Sequence, residues 1–273
     1  MRIATIRNAK GTSAVRIDGS IAVEIPVSDI GSLLADPNWR QLVEQANGPT
    51  HPVETLEYAP LVPRPSKILC VGLNYRSHIL EMGREVPIYP TLFAKFTESL
   101  IGANDDLILP STSTSFDWEA ELAIVISEPA RLVALENAHK HIGGYAVLND
   151  VTARDWQYRT TQWLQGKTFE GTCPFGPHLV TLDELPDDME IACEIDGEVV
   201  QSSKLSDLVF SPEFLVHYIS QFITLLPGDV IATGTPGGVG HARKPPRYLK
   251  SGQRMVTRIN GVGTLSNLIK NSI

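Results

Sequence analysis

Asp117-Trp118-Glu119-Ala120-Glu121-Leu122-Ala123-Ile124-Val125-Ile126 sets two carboxylates at the head of an apolar, β-branched run. Such a run predicts a strand, and side chains two apart on a strand point to the same face. Glu119 and Glu121 then converge, roughly 7 Å apart at Cα by the strand rise. Two carboxylates on one face repel, so they persist at low cost when a cation or a proton sits between them. A divalent-metal site is one reading. A solvated strand face alternating with a buried one is the other.

Strand patterns recur on both sides of this run: Ile68–Gly72, Leu107–Leu109, Gly144–Asn149, Ile191–Ile195, Val230–Thr233 and Met255–Ile259. They do not alternate regularly with helices, which argues against a Rossmann or TIM-barrel fold. The clearest helix is Pro212–Leu225, with Ser211 as N-cap, Pro212 at the first helical position and Pro227 past the end. Its Phe214, Leu215, Tyr218, Ile219, Phe222 and Ile223 form one apolar stripe that reads as core. Arg2–Ile6, Ala14–Ile17 and Ile21–Ile25 predict a small N-terminal meander. A helical stretch follows from Asp29 to Ala46, broken at Asp36-Pro37-Asn38. Pro49, Pro52, Pro60, Pro63 and Pro65 then read as a linker. The expected organisation is a small α/β N-terminal domain with linker over residues 1–64 and a larger β-rich domain over 65–273.

The chain of 273 residues is 42% hydrophobic and 20% charged, as in an ordinary soluble protein with a sizeable core. A net charge of −8 argues against the basic surface that nucleic acid or an anionic membrane demands. Cys70, Cys173 and Cys193 are odd in number and lack CxxC spacing, so each reads as a small buried residue in a reducing compartment. Met1-Arg2-Ile3-Ala4-Thr5 lacks the apolar core of a signal peptide, and no apolar run approaches the ~18 residues of a membrane span. The expected location is cytoplasmic.

Asp150 closes the strand pattern Gly144–Asn149, where adjacent strands can place it beside Glu119 and Glu121. Three carboxylates suit Mg²⁺ or Mn²⁺; zinc is disfavoured because no His-x₃-His or Cys pair accompanies them. Taken alone, Asp150 reads more plainly as a strand-end cap or turn residue. His78 and Glu81 are three apart on a short helix closed by Gly83, so they share a face. A Glu on an imidazole raises its basicity, making His78 a candidate general base; a surface ion pair is the plainer reading. A mobile loop is expected over Arg84–Thr91. Lys95, Arg154, Gln157 and Lys167 are cationic or polar groups that together can offset an anionic substrate or an oxyanion. Gly234-Thr235-Pro236-Gly237-Gly238-Val239-Gly240 follows a strand and reads as a backbone-amide anion nest; it is neither a P-loop nor GxGxxG. No Gly-x-Ser-x-Gly elbow supports a serine hydrolase.

The order of these motifs resembles the fumarylacetoacetate hydrolase family, in particular its prokaryotic-type members. The likeness is carried by Gly72-Leu73-Asn74-Tyr75 with His78 and Glu81, Phe93-x-Lys95, Asp117–Leu122, Gly144-Tyr145 through Asn149–Asp155, Gly166–Phe169, Cys173–Pro177 and Pro227–Pro236. The stretch from Arg243 through Gly263 extends it towards the C-terminus. One departure is Gly171-Thr172 before Cys173, which can reshape the pocket's edge.

The resemblance implies an α+β, β-rich fold with a mixed β-sandwich roll in the catalytic part, and a homodimer. It implies Mg²⁺ or Mn²⁺ on Glu119, Glu121 and Asp150. It assigns His78 and Glu81 to activating water on a lid that orders with substrate, and Lys167 to the lysine beside the metal. Arg154, Gln157 and Thr235 match positions that contact substrate oxygens, and Lys95 joins them as a substrate-side cation. The implied substrate is a small 2-oxo acid with a second carbonyl or enol two carbons on. The first expectation is a hydrolase cleaving a C–C bond in acylpyruvate-type 2,4-dioxo acids such as fumarylpyruvate. The alternative is a decarboxylase or isomerase of 2-oxo diacids of the oxaloacetate or hydroxyheptadienedioate type, which needs no attacking water.

Overall fold

Residues 1–9, 11–81, 83 and 85–272 are described by the structure, a computed structural model, with His78 and Glu81 by their backbone alone. The N-terminal residues form the expected meander of β1 (Arg2–Asn8), β2 (Gly11–Asp18) and β3 (Ile21–Glu24), the last hairpin turning at Gly19 with φ of 61°. β4 (Thr50–Pro52) adds an edge strand inside the stretch read as linker. Its Pro52 is tolerated because an edge position needs no ladder N–H on its outer side. The stretch from Asp29 to Ala46 is two short helices, α1 (Ile30–Leu34) and α2 (Trp39–Glu44). Asp29 caps α1 by accepting from the Ser32 amide at 2.9 Å.

β5 (Ile68–Gly72) and β6 (Thr91–Lys95) flank α3 (Arg76–Glu81). β7 (Leu100–Ile101), β8 (Leu107–Leu109), β9 (Phe116–Asp117), β10 (Ala120–Ile126), β11 (Ile142–Asn149) and β12 (Thr152–Ala153) follow. After α4 (Arg154–Gln157) and α5 (Leu164–Lys167) come β13 (Cys173–Val180), β14 (Glu190–Ile195) and β15 (Glu198–Lys204). The chain ends with α6 (Pro212–Ser220), β16 (Val230–Ala232), β17 (Arg254–Ile259) and β18 (Gly263–Asn271).

The large sheet runs β4-β3-β2-β1-β13-β11-β10-β16-β5-β6, with β7 branching from β13; a second runs β15-β14-β17-β18-β8, and β9 pairs with β12. Most pairs are antiparallel, but β16–β5, β13–β7 and β18–β8 are parallel, so the sheets are mixed. β14, β17 and β18 lie against β10, β11 and β13 and make the sandwich. The α+β, β-rich class follows.

β10 sits between β11 and β16, and all seven of its residues are buried. Leu122, Ile124 and Ile126 pack into the core shared with the second sheet, while Ala123 and Val125 pack with Ile30, Leu33 and Leu34 of α1. Each large side chain contributes about 1.5–3 kcal/mol by leaving water. The solvated-face reading of this run is therefore corrected: elements cover both faces. α6 ends at Ser220, short of the expected Leu225, because Leu225 forms a bridge to Ala130 and draws the chain out of the helix. Phe222 and Ile223 consequently lie exposed, not in the core. All three cysteines are free and buried. No helix among the described residues is long and apolar enough to cross a membrane.

Candidate active site

The pairing of β10 with β11 builds the site. Ala120 lies opposite Asn149, and the Asp150 amide donates to the Glu119 carbonyl at 2.8 Å, so three carboxylates meet at one end of the sheet. Asn149 fixes that end: its Oδ1 accepts from the Glu119 amide at 3.0 Å and its Nδ2 donates to Thr257 Oγ1 at 2.9 Å, in the second sheet. Ligand oxygens of Glu119, Glu121 and Asp150 all lie within 4.8 Å of one another, and all three residues are buried.

Buried carboxylates need partners. Lys167 Nζ donates to Glu119 Oε2 at 2.6 Å and to Asp150 Oδ2 at 2.8 Å. Lys95 Nζ donates to Asp150 Oδ1 at 2.8 Å and to the Lys167 carbonyl. Arg154 pairs with Glu119 Oε1 at 2.7 Å. Burial alone would push the Asp150 carboxyl up, but Lys167 and Lys95 hold it below its ordinary pKa. Glu121 differs: it accepts from the Gly234 amide at 2.8 Å. Burial first, then the charges of Asp150 and Glu119, push its carboxyl well above the usual range.

Counting Asp117, which binds Arg154, four carboxylates face three cationic side chains. The cluster carries one negative charge in excess when all are ionised, centred on Glu121. An all-oxygen donor set with that excess fits a hard divalent cation. Glu119, Glu121 and Asp150 are the residues that could hold it.

A cavity of about 220 Å³ lies above the cluster. Glu119, Glu121, Arg154, Gln157, Lys167 and Thr235 line it. Lys95 does not: its side chain is fully buried behind Asp150, so its place is beneath the carboxylates and not on the substrate side. α3 carries His78 and Glu81, whose side chains lie outside the described residues, as do Met82 and Arg84 of the expected lid and loop.

The family model described as "Fumarylacetoacetate (FAA) hydrolase C-terminal" matches residues 67–270. The chain belongs to the fumarylacetoacetate hydrolase family. Among its relatives, the human oxaloacetate tautomerase FAHD2A, mitochondrial, is 44% identical over 225 residues, which is 81% of this chain and 72% of that one. The solved 5-carboxymethyl-2-hydroxymuconate delta-isomerase of Mycobacterium smegmatis superposes with a TM-score of 0.84 at 33% identity, covering all of both chains. A fumarylacetoacetate hydrolase from Exiguobacterium antarcticum does so with a TM-score of 0.88 at 32% identity, again covering all of both chains. Enzymes of this family generally use divalent metals, and the acidic triad accords with that.

Several residues of this family member escape sequence reasoning. Gln201 clamps the Gly234 nest to β10: its Oε1 accepts from the Ala120 amide at 3.0 Å, and its Nε2 donates to Thr235 Oγ1 at 2.8 Å and to the Pro236 carbonyl at 2.9 Å. Asn74 pins the exit of β5 by donating to the Thr233 carbonyl at 2.8 Å. Trp163 and His241 wall the cavity; His241 stacks on Tyr158 with centroids 5.3 Å apart and meets the Tyr248 hydroxyl at 2.9 Å. Burial, then Arg154, lowers the His241 pKa, which favours the neutral imidazole. No local pattern marks Gln201, Trp163 or His241, and the Gly72-Leu73-Asn74-Tyr75 motif does not tell that Asn74 reaches Thr233. Asp117 is different, since it sits two residues before Glu119 in the same motif.

Proposed function

We propose that the chain is a divalent-cation-dependent enzyme of 2-oxo diacids of the oxaloacetate type that interconverts their keto and enol forms. Isomerisation and decarboxylation are other outlets of the same enolate. The observation that carries this reading is Lys167, whose ammonium stands in the cavity wall bonded to both Glu119 and Asp150. Burial opposes its charge, yet Asp150 and Glu119 raise its pKa, so it stays cationic.

A Mg²⁺ or Mn²⁺ ion on Glu119, Glu121 and Asp150 supplies Lewis-acid polarisation of the carboxylate and 2-oxo oxygens when bound. Lys167 adds a fixed positive charge where the enolate oxygen develops. Because Gln201 donates to Thr235 Oγ1, the Thr235 hydroxyl keeps its own proton for a substrate carboxylate. Arg154 and Gln157 orient the remaining substrate oxygens.

Keto–enol conversion moves one proton from C3 to the 2-oxo oxygen and consumes no water. It makes no demand on the water-activating role expected of His78 and Glu81. Likeness to the tautomerase and the isomerase supports this reading over C–C hydrolysis. A homodimer, as the resemblance implies, belongs to the same proposal and is checked by sedimentation mass.

The test follows the ultraviolet absorbance of enol-oxaloacetate with the metal-loaded protein, with pyruvate, CO₂ and acylpyruvate cleavage assayed in parallel. Faster keto–enol exchange, lost on chelation, is the expected result. Cleavage of an acylpyruvate into two products with no effect on oxaloacetate would overturn it.

A further inference from the structure

Asp117 touches neither the cavity nor the triad directly, yet donors converge on its fully buried carboxylate. Oδ1 accepts from the Trp118 amide at 2.9 Å and the Gly240 amide at 2.7 Å; Oδ2 accepts from the His241 amide at 2.9 Å and from Arg154 Nε and Nη2, each at 2.8 Å. Gly240 is required by the approach, since a Cβ there would lie 2.8 Å from Asp117 Oδ1 and 1.8 Å from the Arg247 carbonyl oxygen. Two of Arg154's nitrogens thus belong to Asp117. Nη1 is left for Glu119 Oε1 at 2.7 Å and Gln157 Oε1 at 2.9 Å.

Arg154 is therefore a competitor as well as a neighbour of the triad. Its guanidinium occupies one oxygen of Glu119 while Lys167 occupies the other. Were Arg154 not balanced by Asp117, three cations would face three carboxylates and no excess negative charge would remain for a metal ion. The guanidinium would also be free to lean wholly on Glu119.

We propose that Asp117 is a positioning residue that sets the triad's affinity for its cation, by holding two of Arg154's nitrogens so that only Nη1 reaches Glu119, and by balancing its charge. The inference rests on reading Glu119, Glu121 and Asp150 as the cation site. Outer partners of metal-binding carboxylates commonly change affinity by about 10–100-fold.

The experiment titrates the metal-stripped full chain with Mn²⁺ and reads free Mn²⁺ by electron paramagnetic resonance, so activity is not the readout. Asp117→Asn should weaken binding at least about tenfold. Asp117→Asn/Arg154→Gln should recover most of that loss, because the competing cation goes with its partner. A purely structural role predicts a double variant no better than the single one. That outcome, or unchanged binding in Asp117→Asn, overturns the inference. If Asp117→Asn does not fold, Arg154→Gln alone carries the test: tighter Mn²⁺ binding supports the proposal, and equal or weaker binding overturns it. Parent binding untouched by Glu121→Gln would instead overturn the cation-site reading itself, which separates the two failures.

Discussion

The Gly234 amide donates to Glu121 Oε2 across 2.8 Å, and among the described residues no cationic side chain forms an ion pair with that carboxylate. Glu119 and Asp150 are neutralised from within the protein, but Glu121 depends on something added. In metal-free protein, Glu121→Gln should be at least as stable as the parent, since it removes a buried, repelled acid. Its Mn²⁺ affinity should fall about a hundredfold, the upper end of ligand-environment effects. Thermal unfolding and isothermal titration check both halves. Glu119→Gln is a poorer probe because it also breaks the pairs to Lys167 and Arg154.

Lys167→Met tests the opposite balance. The Lys167 side chain is 2% exposed and its ammonium serves Glu119 and Asp150 together, so its loss leaves two buried carboxylates short of counter-charge. Breaking a buried ion pair by removing one partner costs about 3–5 kcal/mol. The metal-free variant should unfold at a lower temperature, and excess Mn²⁺ should raise that temperature by more than it does in the parent. Turnover should stay low even when the metal is bound. A Mn²⁺ shift equal to the parent's would show that Lys167 is not the triad's counter-charge.

What could be read from the sequence is what short-range periodicity encodes. Glu119 and Glu121 announce themselves by spacing, and Asp150 by closing a strand pattern. The break at Asp36-Pro37-Asn38 follows from proline chemistry. What could not be read depends on register between distant strands. Lys95 looks like any cation until β5 and β6 set it behind Asp150. Gln201 holds the Ala120 amide from 81 residues away, and Arg154 holds Asp117 from 37. The early end of α6 depends on a bridge to Ala130 that no helical pattern contains. The N-terminal meander is local and legible, but its junction with the large sheet, Ile3 opposite Leu179, is not.

His178 gives a pH dependence separate from the active site. It packs edge-on against Tyr58 with centroids 5.7 Å apart, and burial first, then positive Arg2, lowers its pKa to about 4. An unfolded histidine titrates near 6.5, so between these values the unfolded chain binds more protons than the native one. Its contribution is therefore complete above about pH 6.5, falls as the pH drops, and levels off below about pH 4, for a total on the order of 3 kcal/mol. Denaturant unfolding of the parent and His178→Gln at about pH 7.5 and about pH 4.5 isolates it, since other titrations cancel. The parent should lose more stability than the variant; parallel losses would refute the assignment.

Gly72 controls a wall of the cavity. A Cβ there would lie 2.6 Å from Cζ3 and 3.0 Å from Cη2 of Trp163, so the indole must move. Trp163 rests edge-on against Phe93 with centroids 5.5 Å apart, and the Lys167 ammonium sits 4.9 Å from the centre of that same Phe93 ring. Trp163 also immediately precedes α5, the short helix that ends in Lys167. Displacing the indole therefore disturbs the lysine from two sides, through the ring it faces and through the backbone that carries it. Gly72→Ala should lower kcat by about tenfold, since a misplacement of a fraction of an ångström at a reacting group is costly. Stability should fall by only about 1–3 kcal/mol, the usual range for overpacking against a side chain that can shift. Adding Trp163→Leu should restore much of kcat by making room for the methyl group. If the double variant is as slow as Gly72→Ala alone, the loss comes from the β5 backbone and not from the indole.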